Sequence, residues 1–165
     1  MTIEEHYKII SPKLLNWLVA TGSTYVQSCD IVQETFLKLW KMRDNLMDDD
    51  AAVSGLVFTI ARNLRKNAVR DSKHEVLTDE IPEDSIITSE PAENLPSDTA
   101  YLRNRLISAF AELPPLLREA YTLFQIAEMS ISEIAKTTNA TESLVKVRIH
   151  RAKSKLREIL SDLMT

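Results

Sequence analysis

The chain has 165 residues, 44% of them hydrophobic and 27% charged, with a formal net charge of −4. That is the composition of an ordinary soluble globular protein, long enough for one domain or two small ones. Only 2 glycines and 1 cysteine are present, which argues against strands joined by tight turns and excludes an internal disulfide or a cysteine-rich metal site.

An all-helical fold is therefore expected. His6, His74 and His150 are far apart and share no ligand spacing. The segment Met1-Thr-Ile-Glu-Glu-His6 has no basic region followed by an apolar run. No apolar stretch approaches the roughly 20 residues of a membrane span. The expectation is a soluble cytoplasmic protein without membrane insertion and without a cofactor.

In chain order, apolar residues at Tyr7, Ile10, Leu14, Leu15, Trp17 and Leu18 follow a helical period. Pro12 suits the first turn of a helix beginning near Ser11. A second helix is predicted from Asp30 to Arg43 on Ile31, Val32, Phe36, Leu37, Leu39 and Trp40, with the Asp30 carboxylate near its positive end. Residues 44–50 are polar and read as a loop. A third helix is predicted from about Ala51 to Ser72. Leu56, Ile60, Leu64 and Ala68 share one face, and Arg62, Arg65, Lys66 and Arg70 lie largely off it.

Residues 76–98 contain three prolines, seven acidic groups and no basic one, the composition of a linker. Helical periodicity resumes at Leu102, Leu106, Ala109 and Phe110, and Pro114-Pro115 opens a helix running to about Glu128. Two helical modules are expected, 1–75 and 100–165, joined by an acidic flexible segment at 76–99.

The run from Met129 to Lys153 has the pattern of a helix-turn-helix. Ile131, Ile134 and Ala135 sit on a short first helix. Asn139 occupies a turn where a left-handed backbone is often needed. A second helix starts near Thr141. Its buried stripe is predicted at Val145, Ile149, Ala152, Leu156 and Leu160. Lys146, Lys153 and Arg157 are predicted opposite that stripe, with Arg148 and Arg151 on its flanks. The start of such a helix enters the major groove, so Thr141, Glu142, Ser143 and Lys146 are best placed for base edges.

The net charge does not oppose DNA binding. Residues 51–75 carry 5 basic and 2 acidic groups and residues 146–165 carry 6 and 2. Local charge within about 8–10 Å governs contact with phosphates. The plain alternative for either segment is a solvated basic face. No nucleophile motif, Gly-rich phosphate loop or carboxylate pair at metal spacing is present, so catalysis is not expected.

Three stretches then carry a resemblance: Asp30-Ile-Val-Gln-Glu-Thr-Phe-Leu-Lys-Leu-Trp40; Ile60-Ala-Arg-Asn63 followed by Arg70; and Leu113-Pro114 with Arg118, Ser132-Glu-Ile-Ala135, Val145-Lys-Val-Arg148 and Arg151-Ala152. In this order, across a linker, they resemble the bacterial extracytoplasmic-function sigma factors over nearly the full length. The resemblance implies sigma region 2 in the first module and region 4 in the second. It implies docking on core RNA polymerase through Asp30, Gln33, Glu34, Phe36, Leu37 and Trp40. It implies a grip on the opened −10 promoter strand by Arg62, Asn63, Arg65, Lys66 and Arg70, with a base pocket formed by residues 44–54.

Reading of the −35 promoter element would fall to Thr141, Glu142, Ser143, Lys146, Arg148, Arg151 and Lys153. The resemblance also implies an anti-sigma factor as a protein partner. The chain departs from the family pattern at Asn139, where a turn Gly is usual, and at Ser143-Leu144, where Gly-Thr is common, so a promoter sequence is not carried over. Two rival readings are a sigma-like protein that sequesters an anti-sigma factor, and a stand-alone helix-turn-helix regulator that dimerises through the Phe36–Trp40 region.

Overall fold

The computed structural model describes residues 2–46, 49–75 and 97–161, excepting the side chains of residues 69–75 and 97. Every regular element among them is helical: α1 (Ile3–Ala20), α2 (Tyr25–Lys41), a 3₁₀ turn (Arg43–Asn45), α3 (Asp50–Glu75), α4 (Ser97–Glu112), α5 (Pro115–Gln125), α6 (Ile131–Thr138) and α7 (Glu142–Ile159).

The first helix starts earlier than predicted. Thr2 accepts from the Glu5 amide while the Glu5 carboxylate accepts from the Thr2 amide, a reciprocal capping box. That cap fixes the start at Ile3 and leaves Pro12 inside the helix rather than in its first turn. The same device moves the start of α2 from Asp30 back to Tyr25, where Thr24 and Gln27 cap each other. Asp30 therefore sits in the second turn of α2, away from the end that would favour its charge. The Asp49 carboxylate accepts from the Ala51 amide at the start of α3.

Most of the expected linker lies outside the described residues. Helix α4 begins at Ser97, three residues before the predicted module start.

α1, α2 and α3 pack together through Leu14, Trp17, Leu18, Ile31, Val32, Phe36, Leu39, Val57 and Phe58. The Trp17 and Phe58 rings meet edge to face at 5.8 Å. This core does not stop at the module boundary. Ala120, Leu123, Ala127, Met129, Ile134, Val145 and Ile149 of the second module belong to the same apolar cluster. A smaller cluster of Ala109, Leu113, Ala152 and Leu156 fastens α4 and the far end of α7. Arg105 of α4 adds a hydrogen bond to the Ile159 carbonyl at 2.7 Å, which satisfies an end group of α7.

Candidate nucleic-acid interface

The second module forms the predicted helix-turn-helix. The Ser130 hydroxyl caps α6 by accepting from the Glu133 amide. Asn139 ends α6 in the left-handed conformation, φ 54° and ψ 47°. The Ala140 amide then closes the turn by donating to the Ala135 carbonyl at 2.9 Å. Thr141 caps α7 by accepting from the Leu144 amide at 3.1 Å, so its hydroxyl has a structural role at the helix start.

Val145, Ile149, Ala152 and Leu156 are buried as predicted, and Leu160 is half-buried. Lys146, Lys153 and Arg157, expected opposite the buried stripe, do not lie there. At about 100° per residue, the line opposite the buried stripe runs through Ser143, Val147, His150 and Ser154. Arg151 borders it, and Leu144 stands further round, between Arg151 and Arg148. Lys146, Lys153 and Arg157 occupy one flank and Arg148 and Lys155 the other. Arg148 is half-buried, and the Lys153 ammonium stands 5.7 Å from the Phe124 ring centroid, drawn toward α5. Thr141, Glu142, Ser143, Lys146 and Arg151 are exposed.

On the first module, Asp30, Gln33, Glu34, Leu37 and Trp40 are exposed along α2. The Arg43 guanidinium lies 4.3 Å from the Trp40 ring centroid and donates to the Trp40 carbonyl at 2.9 Å, which holds the indole against its own helix end. Phe36, expected to share this docking surface, is instead 7% exposed and packs edge to face on Tyr7 at 5.0 Å. Its spacing four residues from Val32 puts it on the core side.

Helix α3 departs most from expectation. Asn63 and Lys66 are exposed, and the side chain of Arg70 lies outside the described residues. Arg62 and Arg65 instead point into the junction between modules. Arg62 meets Glu119 of α5 at 2.9 Å and donates to the Thr137 carbonyl of α6 at 3.3 Å. Arg65 reaches the other Glu119 oxygen at 3.5 Å and the Thr21 carbonyl at 3.2 Å. From the second module, Arg118 donates back to the Thr21 carbonyl at 3.3 Å and to the Leu113 carbonyl at 3.4 Å. Trp17 donates its indole N–H to the Thr122 hydroxyl at 3.1 Å.

Two guanidinium groups thus share one carboxylate, and a third, that of Arg118, stands beside them on backbone carbonyls. The carbonyl ends of α1, α4 and α6, where the helix dipole is negative, supply the remaining compensation. The balance is incomplete. Burial lowers the Arg65 pKa, the neighbouring Arg118 and Arg62 lower it further, and Glu119 opposes them. Burial also lowers that of Arg118. The Nε–H groups of Arg62, Arg65 and Arg118 are buried without a hydrogen-bond partner. Beside them lies a cleft of about 310 Å³ lined by Lys66 and Leu116 among others. A second cleft of about 450 Å³ lies between the first turns of α3 and α6.

Sequence reasoning missed Glu119 and Thr137 as partners of the α3 arginines. One signal was available: Glu119 and Thr122 fall on the same face of α5 as Ala120 and Leu123, and a carboxylate on a buried face needs a cation. Among the described residues no cluster of His, Cys, Asp and Glu could hold a metal, and no helix is long and apolar enough to cross a membrane.

Comparison with known proteins gives the same two modules in the same order. The family model described as Sigma-70 region 2 matches residues 7–75, and that described as Sigma-70, region 4 matches residues 103–156. The RNA polymerase sigma factor CarQ of Myxococcus xanthus is 33% identical over 154 residues, covering 93% of this chain and 86% of that protein. The ECF RNA polymerase sigma factor SigM of Bacillus subtilis is 27% identical over 161 residues, covering 96% and 95%. The fold is similar to that of the sigma factor RpoE in its complex with the anti-sigma factor NepR from Bartonella quintana, with a TM-score of 0.73 at 23% identity over 96% of both chains. It is also similar to CnrH in complex with the cytosolic domain of CnrY, with a TM-score of 0.71 at 22% identity over 97% of this chain and 88% of that one. A region 2 and a region 4 on one all-helical chain, with relatives aligned over nearly their whole length, place the protein in the sigma-70 family, among its extracytoplasmic-function RNA polymerase sigma factors.

Proposed function

We propose that the protein is an alternative sigma factor that docks on core RNA polymerase through the exposed face of α2, reads upstream promoter duplex with α7, and holds the opened downstream strand with α3, acting in the cytoplasm. One observation carries the reading furthest. A capped helix-turn-helix with cations on both flanks of its second helix shares a chain with a helix that exposes Leu37 and Trp40 beside Gln33 and Glu34. Cations on the flanks suit phosphates on the two walls of a groove, and an exposed aromatic and leucine suit a protein partner.

Strand contact by Arg62 and Arg65 requires the modules to separate first, because both arginines are engaged with α5 and α6. Asn63 and Lys66 are free of that constraint. A protein partner of the anti-sigma class, such as those in the two structurally similar complexes, belongs to this reading.

The test is transcription reconstituted from the purified protein and bacterial core polymerase on fragments of the source genome. Discrete start sites that core polymerase alone does not give are expected. Binding to core without initiation would favour the sequestering interaction protein, a reading with its own observation in the buried α3 arginines. A dimer that ignores core polymerase would favour the stand-alone regulator.

A further inference from the structure

We propose that Leu144 and Val147 of α7 read thymine methyl groups in the upstream promoter element. The inference rests on α7 being the helix that enters the major groove, and it goes on to name the bases met there.

Leu144 is 41% exposed and Val147 42% exposed, and neither belongs to either apolar core cluster. They lie three residues apart, hence on one side of the helix and roughly 4.5 Å apart along its axis. Val147 faces outward, and Leu144 stands about 60° round from it, between Arg151 and Arg148. Val147 stands almost opposite the buried stripe, with Ser143 and His150 along the same line. Both residues fall in the first two turns, the part of a recognition helix that meets base edges. The cations of these turns, Lys146 and Arg148, stand to either side, where the phosphate walls of a groove would lie. In these two turns the outward positions are Ser143, Val147 and, toward the Arg148 flank, Leu144, so apolar surface is presented beside one hydroxyl.

The major groove offers such side chains one distinctive partner. The four base pairs display donors and acceptors along that edge, and only thymine adds a methyl group. A polar base edge facing Leu144 or Val147 would lose water without gaining a hydrogen bond, so those positions are selected against as well. A rise of about 4.5 Å against about 3.4 Å per base step places the two thymines at neighbouring or next-but-one steps. Ser143 can donate or accept and discriminates little, while Arg151, one turn further, is placed for a guanine or a phosphate.

The experiment uses the full chain with core polymerase. Upstream sequences are first selected from a randomised duplex. Each selected thymine is then replaced by uracil, which removes the methyl and changes nothing else on the groove edge. One or two such replacements are expected to weaken binding about fourfold each, the effect of one buried methyl-sized group. Leu144→Ala and Val147→Ala, both at exposed positions, should bind thymine and uracil equally at the matching step while keeping their affinity for other positions. Selected sequences without thymine in the upstream element, or uracil tolerated throughout by the unaltered protein, would overturn the inference. If no upstream sequence is selected and Arg151→Ala is also without effect, the failure lies instead with α7 as the reading helix.

Discussion

Arg62 of α3 and Glu119 of α5 meet at 2.9 Å across the junction of the two modules, with side chains only 14% and 9% exposed. Arg65 shares the same carboxylate, so one acidic group on the second module restrains two cations on the first. Glu119→Gln keeps the shape and removes the charge. Breaking a buried pair on one side costs about 3–5 kcal/mol, and less here because opening lets both arginines reach water. The variant is expected to populate a separated arrangement of the modules. Small-angle scattering should show a larger radius of gyration than the wild type. An unchanged radius would mean that the apolar contacts alone hold the junction.

The same substitution should strengthen binding to single-stranded DNA. Ligand affinity for a state that is rarely populated is reduced by the fraction that is competent, so freeing Arg62 and Arg65 raises apparent affinity without creating a contact. An increase of about tenfold is expected in Glu119→Gln, with a steeper dependence on salt as two more cations become available to phosphates. Fluorescence anisotropy with a labelled oligonucleotide at several salt concentrations measures both. Equal affinities and slopes would show that the two arginines do not touch the strand.

Phe36 and its neighbours on α2 separate stability from docking. Phe36→Ala removes a buried ring and should cost about 3–5 kcal/mol, visible as a lower urea midpoint. Leu37→Ala and Trp40→Ala alter side chains that are 60% and 50% exposed, and should leave the midpoint nearly unchanged while weakening association with core polymerase. Core binding that survives the Leu37 and Trp40 changes would move the docking surface off α2.

Thr122 accepts from the Trp17 indole in the shared core. Thr122→Val preserves volume but leaves that N–H buried without a partner, at a cost of about 1–3 kcal/mol. Adding Trp17→Phe removes the orphaned donor, so the double variant should be less unstable than the sum of the two singles. Strict additivity in denaturant titrations would count against the bond.

Asn139 holds a left-handed conformation at the turn of the helix-turn-helix. Asn139→Gly should stabilise the chain slightly, and Asn139→Ala should destabilise it by about 1 kcal/mol, because a Cβ with no polar group gains nothing in that region. Thermal melts compare the two. A loss of stability in Asn139→Gly as well would mean that the Asn side chain, and not only its backbone angle, supports the turn.

Much of this was legible in the residues. The helix-turn-helix followed from the spacing of Ile131, Ile134, Val145 and Ile149, because burial of one face imposes its period. Helix starts were legible only in part: the reciprocal caps at Thr2–Glu5 and Thr24–Gln27 are present in the sequence, but Pro12 and Asp30 offered competing signals. The outward face of α7 is set by the mean direction of its four buried residues, which puts Val147 rather than the cations opposite the stripe. The fate of Arg62 and Arg65 was the least legible. The face read for α3 through Leu56, Ile60, Leu64 and Ala68 is turned from the buried one, which runs through Val53, Val57, Phe58 and Ala61 and leaves Ala68 exposed and Arg65 at its edge; whether such an arginine meets water, DNA or a carboxylate is a long-range matter. Glu119 lies more than fifty residues further along the chain.

The apolar cluster that runs without a break from Phe58 to Leu123 and Ile134 has a consequence for how such chains can diverge. Where two halves share a single interior, neither can drift freely. A change of volume at Leu123 is felt at Trp17, and a hybrid that joins the first module of this chain to the second module of a relative must match a foreign surface. Such a chimera could retain its DNA-reading helix and still lose the resting arrangement of its halves. The junction, more than either promoter-facing surface, would then limit which regions 2 and 4 can be exchanged.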